Sequence, residues 1–169
     1  QDYLGRPAFT DPEILRTNLA SVILQMLALG LGDIAAFPFV QPPDNRNIND
    51  GFRLLEEIQA IGKSKGRLQL TKLGRQIARL PIDPRYARMV VEAERTNALQ
   101  EVMVIAECLS IQDPRERPQD KRQQADEKHA EYADKDSDFI SLLNVWNGFR
   151  EQQNALSQNQ LRKWCKQQF

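Results

Sequence analysis

The segment from Gly66 to Met89 constrains the fold more than any other part of this chain. Residues 68–70 alternate between leucine and a polar side chain, which is typical of a half-buried strand. Thr71 follows directly, and threonine commonly caps the first turn of a helix. Pro81 then breaks that short helix, and Pro84 is suited to open another. These 24 residues therefore predict a strand, a short capped helix and the start of a second helix.

Basic residues are concentrated in the same region. Residues 61–88 contain eight lysines and arginines and one acidic residue, Asp83, whereas the whole chain has 23 basic and 23 acidic residues. Because the whole chain has zero formal net charge, this local excess of basic residues indicates a surface that binds a polyanion. The alternative is a hinge between two subdomains whose basic side chains are simply solvated. The basic residues are Lys63, Lys65, Arg67, Lys72, Arg75, Arg79, Arg85 and Arg88.

Two amphipathic helices are predicted before the strand. Residues 10–13 read as a capping box that opens the first helix, and its apolar residues recur at helical spacing up to Gly30 or Gly32. A second helical pattern runs from about Asn49 to Ile61, where Gly62 is placed to end it. Helix, connector, helix and strand is the order expected of a winged-helix unit.

The chain beyond Pro84 has helical spacing almost throughout. Apolar residues indicate a helix after Pro84 and another from Leu99 to Leu109. The segment Asp136-Ser137-Asp138 is placed to cap the next-to-last helix, and Ser157 to cap the last one. Residues 120–133 form a largely polar pattern, which predicts an exposed helix. The predicted fold class is therefore mainly α, with a winged-helix domain that carries a small β wing, followed by an α-helical bundle.

Composition excludes several classes of protein. The chain has no run of about 18 apolar residues, so a membrane-spanning helix is excluded. Residues 1–4 lack the basic and apolar regions of a signal peptide, and the absence of an initiator methionine suggests a piece of a longer protein. Cys108 and Cys165 have no metal-ligand spacing, so we expect free, buried thiols and a cytoplasmic location.

The residues themselves predict no catalytic residue and no metal site. No phosphate-binding loop of the Walker type is present. The only histidine, His129, has no second imidazole or nucleophile within helical reach, which favours a surface histidine. The pair Glu56 and Glu57 lies on a predicted solvated face, without an apolar pocket to separate the two pKa values. Trp146 and Trp164 occur at helical spacing among leucines, which favours core packing over base stacking.

Several blocks of sequence occur in one order along nearly the whole chain. They are FTDPEILRTNLASVILQMLALGLGDIAAFPFVQPP, DGFRLLEEIQAIG, LTKLGRQIARLPIDPRYARM, ECLSIQDPRERP, SDFISLLNVW and RKWC. Together they resemble the region that follows the second motor domain of DEAH-box RNA helicases. The details SIQDPRERP, ADEKH and LNVW are most similar to the bacterial HrpA-type members.

The resemblance implies a division of the chain into three parts. Residues 1–9 would be a linker from the upstream motor domain, 10–82 a winged-helix domain, and 83–169 a ratchet-like, helicase-associated bundle that is truncated at its C-terminal end. The implied parent is an ATP-dependent RNA helicase, an NTP hydrolase whose motor domains bind ATP and Mg²⁺. This chain would carry no catalytic residue and no cofactor of its own.

The resemblance also implies a role and partners. The chain would be an accessory module that forms part of the single-stranded RNA channel and couples it to the motor domains. Its partners would be single-stranded RNA, the upstream motor domains and a downstream OB-fold of the same parent, with no membrane. Amide and guanidinium groups bind phosphates, ribose hydroxyls and base edges alike. The candidate RNA contacts are Arg115, Arg117, Lys121, Asn144 and Arg150.

Two other functions stay open from the sequence. One is a protein-docking module, in which the apolar connector 37–39 and the winged helix receive a partner or the motor domains. The other is a winged-helix DNA-binding regulator. This last function is disfavoured because Glu56 and Glu57 lie on the helix that would have to approach the DNA phosphates.

Overall fold

A computed structural model describes residues 19–64 and 66–169 of the chain. The chain divides into two compact units, one ending at Val91 and the other running from Glu92 to Phe169. It is mainly helical, and the described residues contain one small two-stranded sheet. The predicted mainly α fold with a small β wing is therefore confirmed. The predicted capping box at 10–13 lies outside the described residues.

The first unit is a small helical domain with one β-hairpin. Its elements in order are helix α1 (Ala20–Leu29), a 3₁₀ helix (Ile34–Ala36), helix α2 (Asn45–Glu57), strand β1 (Ile61–Ser64), strand β2 (Arg67–Leu70) and helix α3 (Lys72–Ile77). Helix α1 ends at Gly30, one of the two glycines predicted to end it, and the φ of Gly30 is left-handed at 69°. The strands pair antiparallel, with Ile61 opposite Leu70 and Ser64 opposite Arg67.

A single apolar core holds this unit together. Leu19, Ile23, Leu55 and Ile77 are fully buried, and they come from α1, α2, α3 and the residue before α1. Leu68 and other half-buried residues of the hairpin pack against the same cluster. Burial of such side chains contributes roughly 1.5–3 kcal/mol each, so the core fixes the hairpin and α3 on the two longer helices.

The second helix differs from its prediction at both ends. The sequence predicted a helix from about Asn49 to Ile61 that Gly62 would end, but α2 runs from Asn45 to Glu57 and Gly62 belongs to β1. The chain turns at Gln59, whose φ of 60° is left-handed. Apolar residues continue at helical spacing past this turn, so their pattern could not show where the backbone leaves the helix.

Helix α3 is joined to the hairpin through Thr71. Its hydroxyl oxygen accepts a hydrogen bond from the Gly74 backbone nitrogen at 2.9 Å, which confirms the predicted cap. The same hydroxyl donates to the Gln59 carbonyl at 2.7 Å, and the Thr71 backbone nitrogen donates to the Ala60 carbonyl at 3.0 Å. Thr71 therefore forms hydrogen bonds with backbone groups of both α3 and the turn after α2.

The second unit is a helical bundle. Helix α4 (Pro84–Arg95) contains the boundary between the units, and helix α5 (Leu99–Ser110), a 3₁₀ helix (Gln119–Lys121), helix α6 (Arg122–Ala130), helix α7 (Asp138–Ala155) and helix α8 (Gln158–Gln168) follow. Helix α7 contacts α5 and α8, and α6 contacts α8. In the described residues, no helix is both long enough and apolar enough for a bilayer crossing.

The two last helices begin at the predicted serines. The Ser137 hydroxyl accepts a hydrogen bond from the Ile140 backbone nitrogen at 3.4 Å. The Ser157 backbone nitrogen donates to the Gln160 side-chain oxygen at 3.0 Å. Both caps are therefore confirmed, because each depends on residues within one helical turn.

Candidate nucleic-acid interface

All five candidate RNA contacts lie in the second unit, in two places. Arg115 and Arg117 belong to the loop between α5 and α6, and Lys121 lies in the 3₁₀ helix that ends this loop. Asn144 and Arg150 belong to α7. Their surroundings differ, and these differences decide which of them can reach a ligand.

Arg115 is held by Asp113 within the loop. Its guanidinium donates to both carboxylate oxygens, with Nε 3.0 Å from Oδ1 and Nη2 2.7 Å from Oδ2. The Arg115 backbone nitrogen also donates to Oδ1 at 2.9 Å. These hydrogen bonds lower the pKa of Asp113 and raise the pKa of Arg115. Because the Arg115 side chain is only 25% exposed, its main effect is on the shape of the loop.

Arg117 connects the loop to helix α6. Its Nε lies 2.8 Å from Asp126 Oδ1, and both side chains stay partly exposed. A surface ion pair of this kind contributes little stability, typically about 0–1 kcal/mol. Asp126 Oδ1 itself is buried, so a phosphate that draws Arg117 away would leave this oxygen without its partner.

Asn144 and Arg150 lie on different sides of α7. The Asn144 amide donates to the Tyr132 carbonyl at 3.2 Å, so this half-buried side chain ties α7 to the turn after α6. Arg150 is exposed, and its guanidinium carbon lies 5.9 Å from the centre of the Trp146 ring. Arg150 thus has the accessibility that a phosphate contact needs, whereas Asn144 has an internal partner.

Trp146 corrects one expectation from the sequence. Core packing was favoured for both tryptophans, and Trp164 is indeed half-buried, but 39% of Trp146 is exposed. Helical spacing identifies the apolar face of α7, but it does not show which residues at the edge of that face remain uncovered. An exposed indole with a guanidinium beside it is a combination that binds bases and phosphates of single strands.

Trp146 and Phe149 form one wall of an apolar groove in this unit. The two ring centres are 6.0 Å apart, and the groove has a volume of about 560 Å³. Cys108 and Cys165 also line it as free thiols that are half-buried rather than fully buried. Burial raises the pKa of the Cys108 thiol, with nearby Asp113 adding to the effect, so Cys108 stays protonated at neutral pH.

His129 corrects a second expectation. The polar surroundings in the sequence favoured a surface histidine, but His129 is only 6% exposed. Its ring stacks on Phe169, with the two ring centres 6.4 Å apart. The cover comes from the far end of the chain, so the residues near His129 in the sequence gave no sign of it.

The predicted basic surface lies in the first unit and the adjoining helix α4. Lys63, Arg67, Lys72 and Arg79 are exposed, and Lys65 lies outside the described residues. Arg75 is exposed and also donates to the Leu70 carbonyl at 2.9 Å. The hairpin, α3 and the turn after it therefore carry several exposed basic side chains.

Asp83 and Arg85 form a second paired unit at the start of α4. Arg85 donates to both Asp83 carboxylate oxygens, at 3.0 and 3.1 Å. Burial by itself would raise the pKa of Asp83, but the hydrogen bonds and charge of Arg85 outweigh it, so the pKa is lowered. This pair removes one basic residue of the cluster from the set that is available to a polyanion.

The described residues hold no group of three His, Cys, Asp or Glu side chains that could bind a metal ion.

Comparison with known proteins gives the family. The model of the helicase associated domain (HA2), ratchet-like, matches residues 83–169. The chain is 61% identical to ATP-dependent RNA helicase HrpA of Escherichia coli (strain K12), over 99% of this chain and 13% of that protein. It is 56% identical to an HrpA homolog of Haemophilus influenzae, over 100% of this chain and 13% of that protein.

A more distant relative is a probable ATP-dependent RNA helicase of Pongo abelii, which is 33% identical over 96% of this chain and 22% of that protein. The chain thus spans 13% of the length of the two bacterial relatives. These matches confirm the resemblance to HrpA-type DEAH-box RNA helicases. The chain belongs to the helicase associated domain (HA2), ratchet-like family.

Proposed function

We propose that this chain is an accessory module of an ATP-dependent RNA helicase, in which it forms part of the single-stranded RNA channel and couples that channel to the motor domains. The family match and the names of the relatives support the proposal. The observation that carries it is the exposed Trp146 with Arg150 at its ring, because this pair offers a stacking face and a positive charge together.

The candidate contacts take different roles in this proposal. Arg150 and Lys121 contact RNA directly, since both are exposed. Arg117 contributes a positive charge from its partly exposed guanidinium while it stays paired with Asp126. Arg115 and Asn144 are positioning residues, because their polar groups already have internal partners. We expect no preference for a particular base, because an indole ring can stack on any base.

The proposal leaves nucleotide hydrolysis to other parts of the parent. ATP and Mg²⁺ belong to the upstream motor domains, and an OB-fold lies downstream. The division into a winged-helix domain (10–82) and a ratchet-like bundle (83–169) and a cytoplasmic location also belong to the proposal. The purified chain alone is expected to bind single-stranded RNA and to hydrolyse no ATP.

Trp146→Ala tests the stacking contact. We expect the variant to bind a fluorescently labelled single-stranded oligouridylate more weakly by about 1–3 kcal/mol, the range measured for one stacked base. Fluorescence anisotropy at low salt measures the affinity. Phe139→Ala is the matched control, because Phe139 is also an exposed aromatic residue of α7 but does not line the groove. Equal affinities for the wild type and Trp146→Ala would remove this contact from the channel.

A second function, docking to protein, is favoured by one feature of the first unit. Four large apolar residues are exposed at the end of α1 and in the segment that follows it, where the sequence singled out residues 37–39. These residues are Leu29, Leu31, Phe37 and Val40. Exposed apolar groups that are close together often mark a protein interface.

Calorimetry separates the two functions. The 169-residue chain is titrated with a single-stranded RNA and, separately, with the purified motor domains that the resemblance implies. Tight binding to the motor domains that is lost in a Phe37→Ser, Val40→Ser variant, without detectable RNA binding at low salt, would favour docking alone. Binding of RNA with wild-type affinity by this variant supports the channel function.

A further inference from the structure

The buried histidine of α6 has no hydrogen-bond partner in the part of the chain that the structure describes. His129 is only 6% exposed, and neither of its ring nitrogens has a hydrogen-bond partner among the described residues. A buried polar group without a partner is costly, by about 1–3 kcal/mol, and such groups are rare in folded proteins. A ligand that forms a hydrogen bond with the imidazole would therefore stabilise the folded chain.

His129 lines a small pocket in the second unit. The pocket has a volume of about 90 Å³ and lies between the loop before α6, α6 itself and the end of α8. Pockets that enclose drug-sized molecules measure roughly 300–1,000 Å³, so this one suits a group no larger than a single oxyanion. Its charged lining residues are Glu116, Lys121, Lys128 and Lys166.

The charges around the pocket favour an anion. Three lysines face one carboxylate, and the structure gives no ion pair for Lys121 or Lys166 within the described ranges. Lys128 is directed to α8, because its ammonium group donates to the Gln167 carbonyl. Asp113 lies close enough for its pKa to respond to His129. The negative charges near the imidazole include Asp113, Glu116 and, in the 169-residue chain, the terminal carboxylate of Phe169.

Hydrogen bonds between α6 and α8 keep this pocket formed. The Gln168 amide donates to the Lys128 carbonyl at 3.4 Å and to a Glu131 carboxylate oxygen at 3.3 Å. The Glu116 backbone nitrogen donates to the Phe169 carbonyl at 3.3 Å, which attaches the loop to the end of α8. The lining groups thus come from three segments that are tied to one another.

We propose that this pocket binds one phosphate group of the RNA backbone. Lys121 and Lys166 neutralise its charge, and the His129 imidazole donates a hydrogen bond to one of its oxygens. The assignment to RNA rests on the proposed function. The same chemistry would also accept free phosphate, so the experiment measures both sources.

Nuclear magnetic resonance of the 169-residue chain tests the pocket directly, because His129 is the only histidine and its imidazole signals need no further assignment. Inorganic phosphate is titrated at pH 7 and constant ionic strength, with chloride as the balancing anion. We expect a saturable shift of the imidazole signals. In Lys121→Gln and Lys166→Gln, the affinity for phosphate is expected to fall by about tenfold each.

Lys163→Gln is the matched control. Lys163 is exposed and lies on α8, like Lys166, but it does not line the pocket. Its affinity for phosphate should equal that of the wild type. Both lysines that are changed in the pocket are exposed, so unchanged circular dichroism is expected for all variants. The proposed phosphate site would be wrong if phosphate caused no shift of the imidazole signals. It would also be wrong if Lys163→Gln lowered the affinity for phosphate as much as Lys121→Gln or Lys166→Gln.

A second titration, with a short single-stranded oligouridylate, identifies the source of the phosphate. The expected result is the same imidazole shift at lower concentration than with inorganic phosphate, with weaker RNA binding in Lys166→Gln. RNA that binds without shifting the imidazole would overturn the assignment to RNA and leave the proposed function intact. A phosphate shift without any RNA binding would contradict the proposed function and the RNA assignment, while the anion pocket stands.

Discussion

The same three residues, Asp-Pro-Arg, occur twice in this chain and form the same local structure each time. In both copies the aspartate accepts hydrogen bonds from the backbone nitrogen and the guanidinium of the arginine two positions later. The first copy, at 83–85, opens helix α4, because Pro84 is suited to the first helical position. The second, at 113–115, shapes the loop before α6. Two basic residues that appear free in the sequence are thus paired.

Asp113→Asn tests how much this pairing stabilises the loop. The folded-state pKa of Asp113 lies below its ordinary value of 3.8, so the pair stabilises the fold above pH 3.8, and this contribution is lost as the pH falls through the folded-state pKa. The carboxylate is largely exposed, so solvent screening limits the effect at pH 7 to about 1 kcal/mol or less. Urea unfolding of wild type and variant measures it.

Asp120→Asn serves as the control for that measurement, since Asp120 is an exposed aspartate of the same loop region and forms no ion pair in the described residues. The difference in unfolding free energy between wild type and Asp113→Asn should shrink below pH 3.8. A difference that stays constant from pH 7 to pH 3 would show that the carboxylate charge is not its source.

Among the helices and strands, the features that depend on residues close together in the sequence were predicted correctly. The caps at Thr71, Ser137 and Ser157 follow from hydrogen bonds within one helical turn, and all three were predicted. Strand β1 was missed, because Ile61 continues an apolar helical spacing and its pairing with Leu70 is a tertiary contact. Propensity and periodicity contain no information of that kind.

The junction between the hairpin and α3 leaves no space for a side chain at Gly74. A Cβ at this position would lie 1.9 Å from the Ala60 carbonyl oxygen, and this oxygen belongs to the backbone, which cannot rotate away. We expect Gly74→Ala to lower the unfolding free energy of the first unit by about 3 kcal/mol or more. Thermal or urea unfolding, followed by circular dichroism, measures this loss.

Gly62→Ala provides the comparison for that variant. Gly62 lies in β1, and a Cβ there would be 3.6 Å from a Thr71 methyl carbon, an ordinary contact distance. Its unfolding free energy should stay within about 1 kcal/mol of the wild type. Equal stabilities of the two glycine variants would contradict the close packing of α3 on Ala60.

For the whole molecule, the sequence identified the family, whereas the partners of the individual candidate residues became visible only in the structure. Motif blocks placed the candidate residues in the correct loop and helix, but could not show that Arg115 and Asn144 have internal partners. The buried His129 and the exposed Trp146 were both misjudged. The exposure of each side chain depends on which distant segment of the chain packs over it, and the local sequence does not show this.

In the proposed function, exposed basic residues of the bundle bind the phosphates of single-stranded RNA. The measurement that tests it most directly is the salt dependence of the affinity of the 169-residue chain for a labelled oligouridylate. We expect the logarithm of the binding constant to fall linearly with the logarithm of salt concentration, by roughly 0.7 for each phosphate contact. In the double variant Lys121→Gln, Arg150→Gln, the slope should be less steep by about 1.4, because two such contacts are removed. Undetectable binding at low salt, or a slope that the double variant leaves unchanged, would contradict the claim.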